Sequence, residues 1–151
     1  MVIETERLKI RVASEDEMRG IIEKQTDEEM IKAFSEMLQE CLDHPEDKHW
    51  YATWMIEEKD GTHIGDLCFK GLNPDGSVEI GYGINEEKQS RGYATEAVDA
   101  ACAWALKQPG VCRVDAETDP GNKKSQRVLE KCGFVPSGIM GEEGPRFYKE
   151  A

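Results

Sequence analysis

The stretch of this sequence with the clearest chemical potential is Gln89-Ser90-Arg91-Gly92-Tyr93-Ala94-Thr95, which follows the strand-like run Glu79-Ile80-Gly81-Tyr82-Gly83-Ile84. A helix opening at Gly92 would leave its first backbone N–H groups unpaired and at the positive end of the helix dipole, which suits an anion. Gly92 and Ala94 let a phosphate approach the backbone, and Arg91 adds a fixed positive charge. The same two small residues are equally compatible with an ordinary helix start. No G-x-G-x-x-G or G-x-x-x-x-G-K-[ST] motif is present, so neither a dinucleotide fingerprint nor a P-loop applies. A second polar segment, Asn122-Lys123-Lys124-Ser125-Gln126-Arg127, is followed by Lys131-Cys132-Gly133-Phe134. Each of its cations taken singly reads as surface charge. Their clustering in an acidic chain points equally to an anion.

The elements that must hold these residues follow from periodicity. Leu8, Ile10 and Val12 alternate with Lys9 and Arg11 as in a half-buried strand. Ser14-Glu15-Asp16-Glu17 is a capping box opening a short helix, and a second helix is expected from about Asp27, its apolar stripe running from Met30 to Leu42. Strands are expected over 50–56, 62–72, 77–84 and 111–118, with Asp60-Gly61 and Asn73-Pro74-Asp75-Gly76 as turns. A helix behind Gly92 ends at Pro109-Gly110, another follows Asn122 and stops at Gly133, and the tail from Phe134 to Tyr148 reads as a strand pair. The fold class is therefore α+β, a mostly antiparallel mixed sheet of about six or seven strands with flanking helices and a parallel crossover. With no linker or repeat, residues 1–151 are read as a single domain.

Composition narrows the function classes. The 19 basic and 31 acidic side chains give a net charge of −12, which disfavours nucleic acid as a partner. Residues 1–84 carry 9 basic and 20 acidic groups while residues 85–131 carry 8 of each, so the first half either suits a cationic partner or is a solvated surface that keeps the protein soluble. No apolar run approaches the ~20 residues of a membrane span. The start lacks a secretory pattern, and five cysteines without a C-x-x-C pair argue against a disulfide framework and against a metal site. The expected setting is a reducing cytoplasm.

In motif order the chain resembles the GNAT N-acetyltransferase superfamily. Gln89-Ser90-Arg91-Gly92-Tyr93-Ala94 matches its motif A, and Asn122, Ser125, Lys131, Gly133 and Phe134 match its N-x-x-S…K-x-G-F segment. The opening Thr5-Glu6-Arg7-Leu8-Lys9-Ile10-Arg11 is similar to the Rim-type branch that acetylates ribosomal-protein N-termini. The resemblance implies acetyl-CoA as co-substrate, its diphosphate on the N–H groups of Arg91, Gly92, Tyr93, Ala94 and Thr95. Its pantetheine would lie against Tyr82, Gly83 and Ile84, where the strands at 77–84 and 111–118 splay and where Gly81 and Gly83 suit a bulge. Gln89, Asn122, Ser125 and Lys131 complete the implied binding set.

For catalysis, the resemblance places a general-base glutamate at Glu79. Apolar Val78 and Ile80 beside it would raise its pKa if it is buried, and a plain exposed strand residue is the other reading. The tyrosine that many family members use to protonate the leaving thiolate is replaced by Leu129. Ser125 is a possible substitute acid or simply a helix-start residue. Cys132 has no histidine partner in the sequence and reads as core.

The implied activity is acetyl transfer to a primary amine, either a protein N-terminus or a small cationic amine, by direct attack in a ternary complex. A CoA-binding sensor or interaction module with little turnover is the alternative. A monomer or homodimer fits either.

Overall fold

The computed structural model describes residues 2–151. Eight strands form one sheet: β1 (Val2–Glu4), β2 (Leu8–Val12), β3 (Thr53–Glu58), β4 (His63–Leu72), β5 (Ser77–Ile84), β6 (Arg113–Glu117), β7 (Val135–Met140) and β8 (Pro145–Glu150). Their order across the sheet is β1-β2-β3-β4-β5-β6-β8-β7, and only β5 and β6 pair in parallel. Four helices flank it: α1 (Glu15–Lys24), α2 (Glu28–Asp43), α3 (Tyr93–Leu106) and α4 (Lys123–Lys131). The seven strands and four helices expected from periodicity are present. The eighth strand, β1, is three residues long, too short to show alternation. It exists because it pairs with β2, from Val2 opposite Arg11 to Glu4 opposite Lys9. The strand expected from Trp50 begins at Thr53. Trp50 lies in a 3-10 turn, packed edge-on to Phe69 at 5.3 Å between ring centres.

Strand alternation assigns the helices to faces. Leu8, Ile10, Trp54, Ile56, Leu67, Phe69, Val78 and Ile80 are all buried in one core with Ala97, Val98, Ala101 and Ala105 of α3. Those alanines leave room for the large strand side chains, so α3 lies close against the sheet. Met55, which alternates with Trp54 and Ile56, instead packs with Met18 of α1 and Leu38 and Cys41 of α2. The helix pair α1–α2 therefore covers the opposite face. Its ends are set locally: Ser14 and Glu17 form the expected reciprocal cap, and the Asp27 side chain accepts from the N–H of Glu29.

The feature that positions a site is the short parallel seam. β5 and β6 are paired only at Ser77 with Arg113, Val78 with Val114 and Glu79 with Asp115. Beyond Glu79, β5 continues to pair with β4, from Ile80 opposite Phe69 to Ile84 opposite Gly65, but has no strand partner on its other edge among the described residues. The expected splay is thus present. The expected bulge at Gly81 and Gly83 is not: those residues sit in regular register, and the irregularity lies opposite, between Phe69 and Leu72, where Gly71 has φ +84°. An added Cβ at Gly83 would meet nothing within 4 Å, so this glycine leaves bare backbone on the α1–α2 face.

Candidate active site

At the opening of α3 the chain turns through two left-handed residues, Ser90 at φ +64° and Gly92 at φ +80°. Gly92 is the residue preceding the helix and has no side chain to cap it. The first intrahelical bond runs from the N–H of Glu96 to the carbonyl of Gly92. Among the described residues, no protein acceptor takes the N–H groups of Gly92, Tyr93, Ala94 or Thr95. Four converging donors at a helix start are a standing anion site.

The turn is braced from behind. Arg7 donates to the carbonyl of Arg91 at 3.0 Å, pairs with Glu96 at 2.7 Å, and lies 4.4 Å over the Tyr93 ring. Tyr93 donates its hydroxyl to Glu58 at 3.0 Å, which buries its ring and leaves its backbone to serve the turn. Gln89 closes the end of β5 by donating to the carbonyl of Ile84 at 2.9 Å.

These donors open into a cleft of about 490 Å³ lying along the unpartnered edge of β5. Tyr82, Gly83, Ile84, Gln89, Gly92, Tyr93, Ala94, Thr95, Asn122, Ser125 and Lys131 line it, so the structure gathers nearly all the residues singled out in sequence. Arg91 does not line it. The carbonyl bond from Arg7 fixes that residue through its backbone, so the charge expected from Arg91 comes from elsewhere. Lys124, Arg127 and Lys131 supply it, with Lys88 also on the lining but paired with Glu58 at 2.9 Å, and no carboxylate shares the lining, in a molecule of net charge −12. Lys88 and Val128 also line the cleft, and Lys88 has no signal in the sequence, since only the path of the chain after β5 brings it there. A signal for Val128 did exist, as it lies six residues past the helix start on the face shared with Ser125 and Leu129.

The far wall is the start of α4. Asn122 accepts from the N–H of Ser125 at 3.0 Å through its side-chain oxygen, capping the helix. Its side-chain NH2 has no partner among the described residues. Ser125 and Tyr82 meet across the cleft floor, hydroxyl to hydroxyl, at 2.7 Å. Leu129 is fully buried in the core, and Cys132 is buried with its thiol pushed up to about 11 by desolvation.

Glu79 stands apart. Strand alternation puts it on the other face from Val78 and Ile80, so those residues do not surround it. Its carboxylate accepts from Lys70 and from Arg146, each at 2.8 Å, in a network that also holds Asp115 and Glu117. Burial alone would raise its pKa, but the two cations outweigh it and hold the carboxyl below its usual range. The sequence expectation of a raised pKa is therefore reversed. Two positions along the neighbouring strand face, Asp66 lies opposite Gly83 with no ion-pair partner among the described residues, and burial pushes its carboxyl up against a weaker pull from His63.

Comparison with known proteins agrees with this geometry. A family model described as the acetyltransferase (GNAT) domain matches residues 4–135. An uncharacterized N-acetyltransferase of Bacillus subtilis, YjdG, is 38% identical over 88 residues, 56% of this chain and 52% of that protein. The chain spans about half the length of the curated relatives it matches. Among solved structures, a ribosomal-protein-S5-alanine acetyltransferase from Vibrio fischeri superposes with a TM-score of 0.77 at 17% identity, covering 99% of this chain and 96% of its own. The spermidine N-acetyltransferase of Vibrio cholerae, solved with CoA and spermine, gives 0.75 at 20% identity, covering 97% and 96%. At such identities these structures speak for the fold, whereas the family match spans most of the sequence. On that match, with the splayed sheet and the unpaired donors at the start of α3, the chain belongs to the GNAT acetyltransferase domain family.

Proposed function

We propose that this chain transfers an acetyl group from acetyl-CoA to a primary amine by direct attack of the neutral nitrogen on the thioester. The observation that carries this reading is the set of four unclaimed N–H groups at α3, opening into a carboxylate-free, lysine-lined cleft beside an unpaired strand edge. The diphosphate takes those amides, and Lys124, Arg127 and Lys131 face the nucleotide phosphates. Pantetheine amides pair with β5 backbone from Tyr82 to Ile84, and the free side-chain NH2 of Asn122 donates to the same arm. Ser125 stands by the reacting sulfur. Holding donor and acceptor in line can supply about 7–11 kcal/mol of the barrier.

The acceptor reaches the thioester from the α1–α2 face, where Asp66 and Glu79 carry negative charge beside the bare backbone of Gly83. A carboxylate held as low as Glu79 is a weak base, and this bears on the choice of amine. Near neutral pH an α-amine of pKa ~7.8 is about a quarter neutral, against roughly 0.1% for a lysine-type amine of pKa ~10.4. A protein N-terminus thus needs little more than a water passing its proton to Glu79. The likeness to an enzyme named for ribosomal-protein alanine is in keeping with that class, and the likeness to a spermidine enzyme marks the small polyamine as the rival.

Two measurements test the reading. Calorimetry should show acetyl-CoA binding more tightly than ATP or phosphate, and at 100 Kd it should stabilise the fold by about 2.7 kcal/mol. Thiol release should then appear with peptides bearing Ala, Ser or Met N-termini in preference to spermidine or an aminoglycoside. Acetyl-CoA binding no better than phosphate would refute coenzyme use. Tight binding with no thiol release from any amine would leave a CoA-binding module.

A further inference from the structure

From the hydroxyl contact between β5 and α4, we infer that Tyr82 is a positioning residue that aims the Ser125 hydroxyl hydrogen at the sulfur of CoA. This rests on the coenzyme site proposed above.

The Tyr82 oxygen lies 2.7 Å from the Ser125 hydroxyl oxygen and 3.3 Å from the Ser125 carbonyl oxygen. The shorter distance marks the hydroxyl as its principal partner. A phenol is a stronger acid than an aliphatic alcohol, so Tyr82 is the donor and Ser125 the acceptor in that bond. Ser125 is then left with its own hydrogen, for which no protein acceptor exists among the described residues. Both side chains line the cleft, Tyr82 on the stretch of β5 beyond its last pairing with β6 and Ser125 on the first turn of α4. The freed hydrogen therefore faces the space that the pantetheine end would enter.

Tyr82 keeps its proton across the working range. Burial raises its pKa, and the bond to Ser125 opposes this only in part. The thiols of Cys102 and Cys132 beside it are themselves pushed up to about 12 and about 11 by burial, so they stay neutral and do not compete for the phenolic hydrogen. The frame is stiff: Tyr82 comes from the regular β4–β5 ladder, and Ser125 is fixed by the Asn122 cap.

The chemical role follows from relative acidity. When the tetrahedral adduct collapses, the electron pair of the breaking C–S bond goes to sulfur, whose thiol has a pKa near ~8.5 if it behaves as an ordinary thiol. A phenol above its usual ~10 does not hand over its proton to such a group spontaneously. The chain Tyr82–Ser125–sulfur instead stabilises the thiolate by a charge-assisted hydrogen bond, strengthened because each donor polarises the next. The alcohol makes the contact and the phenol orders it.

The test reads the thiol itself and needs no acceptor. The full chain is titrated with CoA, and the thiolate absorbance of bound CoA is followed against pH by difference from the CoA-free protein. In the unaltered protein the bound thiol should titrate below free CoA. Tyr82→Phe, which removes one oxygen, should raise that value by roughly half a unit to one unit, a three- to tenfold loss of thiolate at fixed pH. Ser125→Ala should raise it at least as much, and the double variant should match Ser125→Ala alone. An unchanged value in Tyr82→Phe with CoA affinity intact would overturn the inference. Additive effects would overturn it too, by showing that Tyr82 reaches the sulfur without Ser125. Failure of the unaltered protein to bind CoA is a separate result, which counts against the coenzyme site as a whole.

Discussion

At Gly92 the backbone itself disfavours a side chain. Its φ of +80° is costly for an L-residue, although a Cβ there would make only ordinary contact with Arg7. Gly92→Ala should cost about 1–2 kcal/mol in denaturant unfolding and weaken coenzyme binding in parallel, because the donors after it shift with the backbone. Asp66 predicts the opposite sign. Its folded pKa is raised, so stability present at low pH is lost as pH rises through its ordinary value and on to the folded one. Asp66→Asn should therefore raise the melting temperature at pH 7, by roughly 2–4 °C for about 1 kcal/mol, and the gain should vanish near pH 3. An equal gain at both pH values would mean that its charge is not what costs stability. Gly92 and Ala94 were readable because a helix start is a local event. The lowered pKa of Glu79 was not, since it is set by Arg146, 67 residues away, and by the strand's unseen face assignment. The Tyr82–Ser125 contact, 43 residues apart, was hidden for the same reason.

At the scale of elements, α4 depends on its first residue. The Asn122 cap fixes the helix start and with it Ser125. Asn122→Ala should cost about 1 kcal/mol, whereas Asn122→Asp, which keeps the accepting oxygen, should preserve stability and lose only what the side-chain NH2 contributes to coenzyme binding. Comparing melting with CoA affinity in the two variants separates cap from contact. α1 carries a similar device. Glu17 closes its capping box and also takes both Arg11 nitrogens at 2.7 Å, and its pKa falls to about 2, chiefly through Arg11. Because that folded value lies below the ordinary one, the stabilisation is complete above about pH 4.5 and fades as pH falls toward 2. Glu17 is a third exposed, so solvent screening trims the effect, and Glu17→Gln should cost about 1 kcal/mol at pH 7 and nothing at pH 2. These helix starts were legible because capping pairs lie three residues apart. β1 was not, because a three-residue strand exists only by virtue of its partner.

Across the whole molecule, charge is unevenly placed. A chain of net charge −12 lines one cleft with four cations and no carboxylate, while the opposite face interleaves Asp66, Glu79, Asp115 and Glu117 with Lys70, Arg113 and Arg146. A polyanion is thus favoured at that opening over the rest of the surface. Raising salt from 0.05 to 0.5 M should weaken CoA binding severalfold, and Lys124→Ala with Arg127→Ala should flatten that dependence. A salt-independent affinity would remove electrostatic guidance from the account. The acidic first half and basic later segment were visible in composition. Their assignment to opposite faces required the sheet.

The clamp that Arg7 makes on Glu96, Tyr93 and the Arg91 carbonyl has a consequence for anyone handling this protein. The connection between β1 and β2, far from the cleft in sequence, acts as a buckle on the loop proposed to hold the coenzyme. Arg7→Ala should therefore slacken that hold without removing any of the unpaired N–H donors.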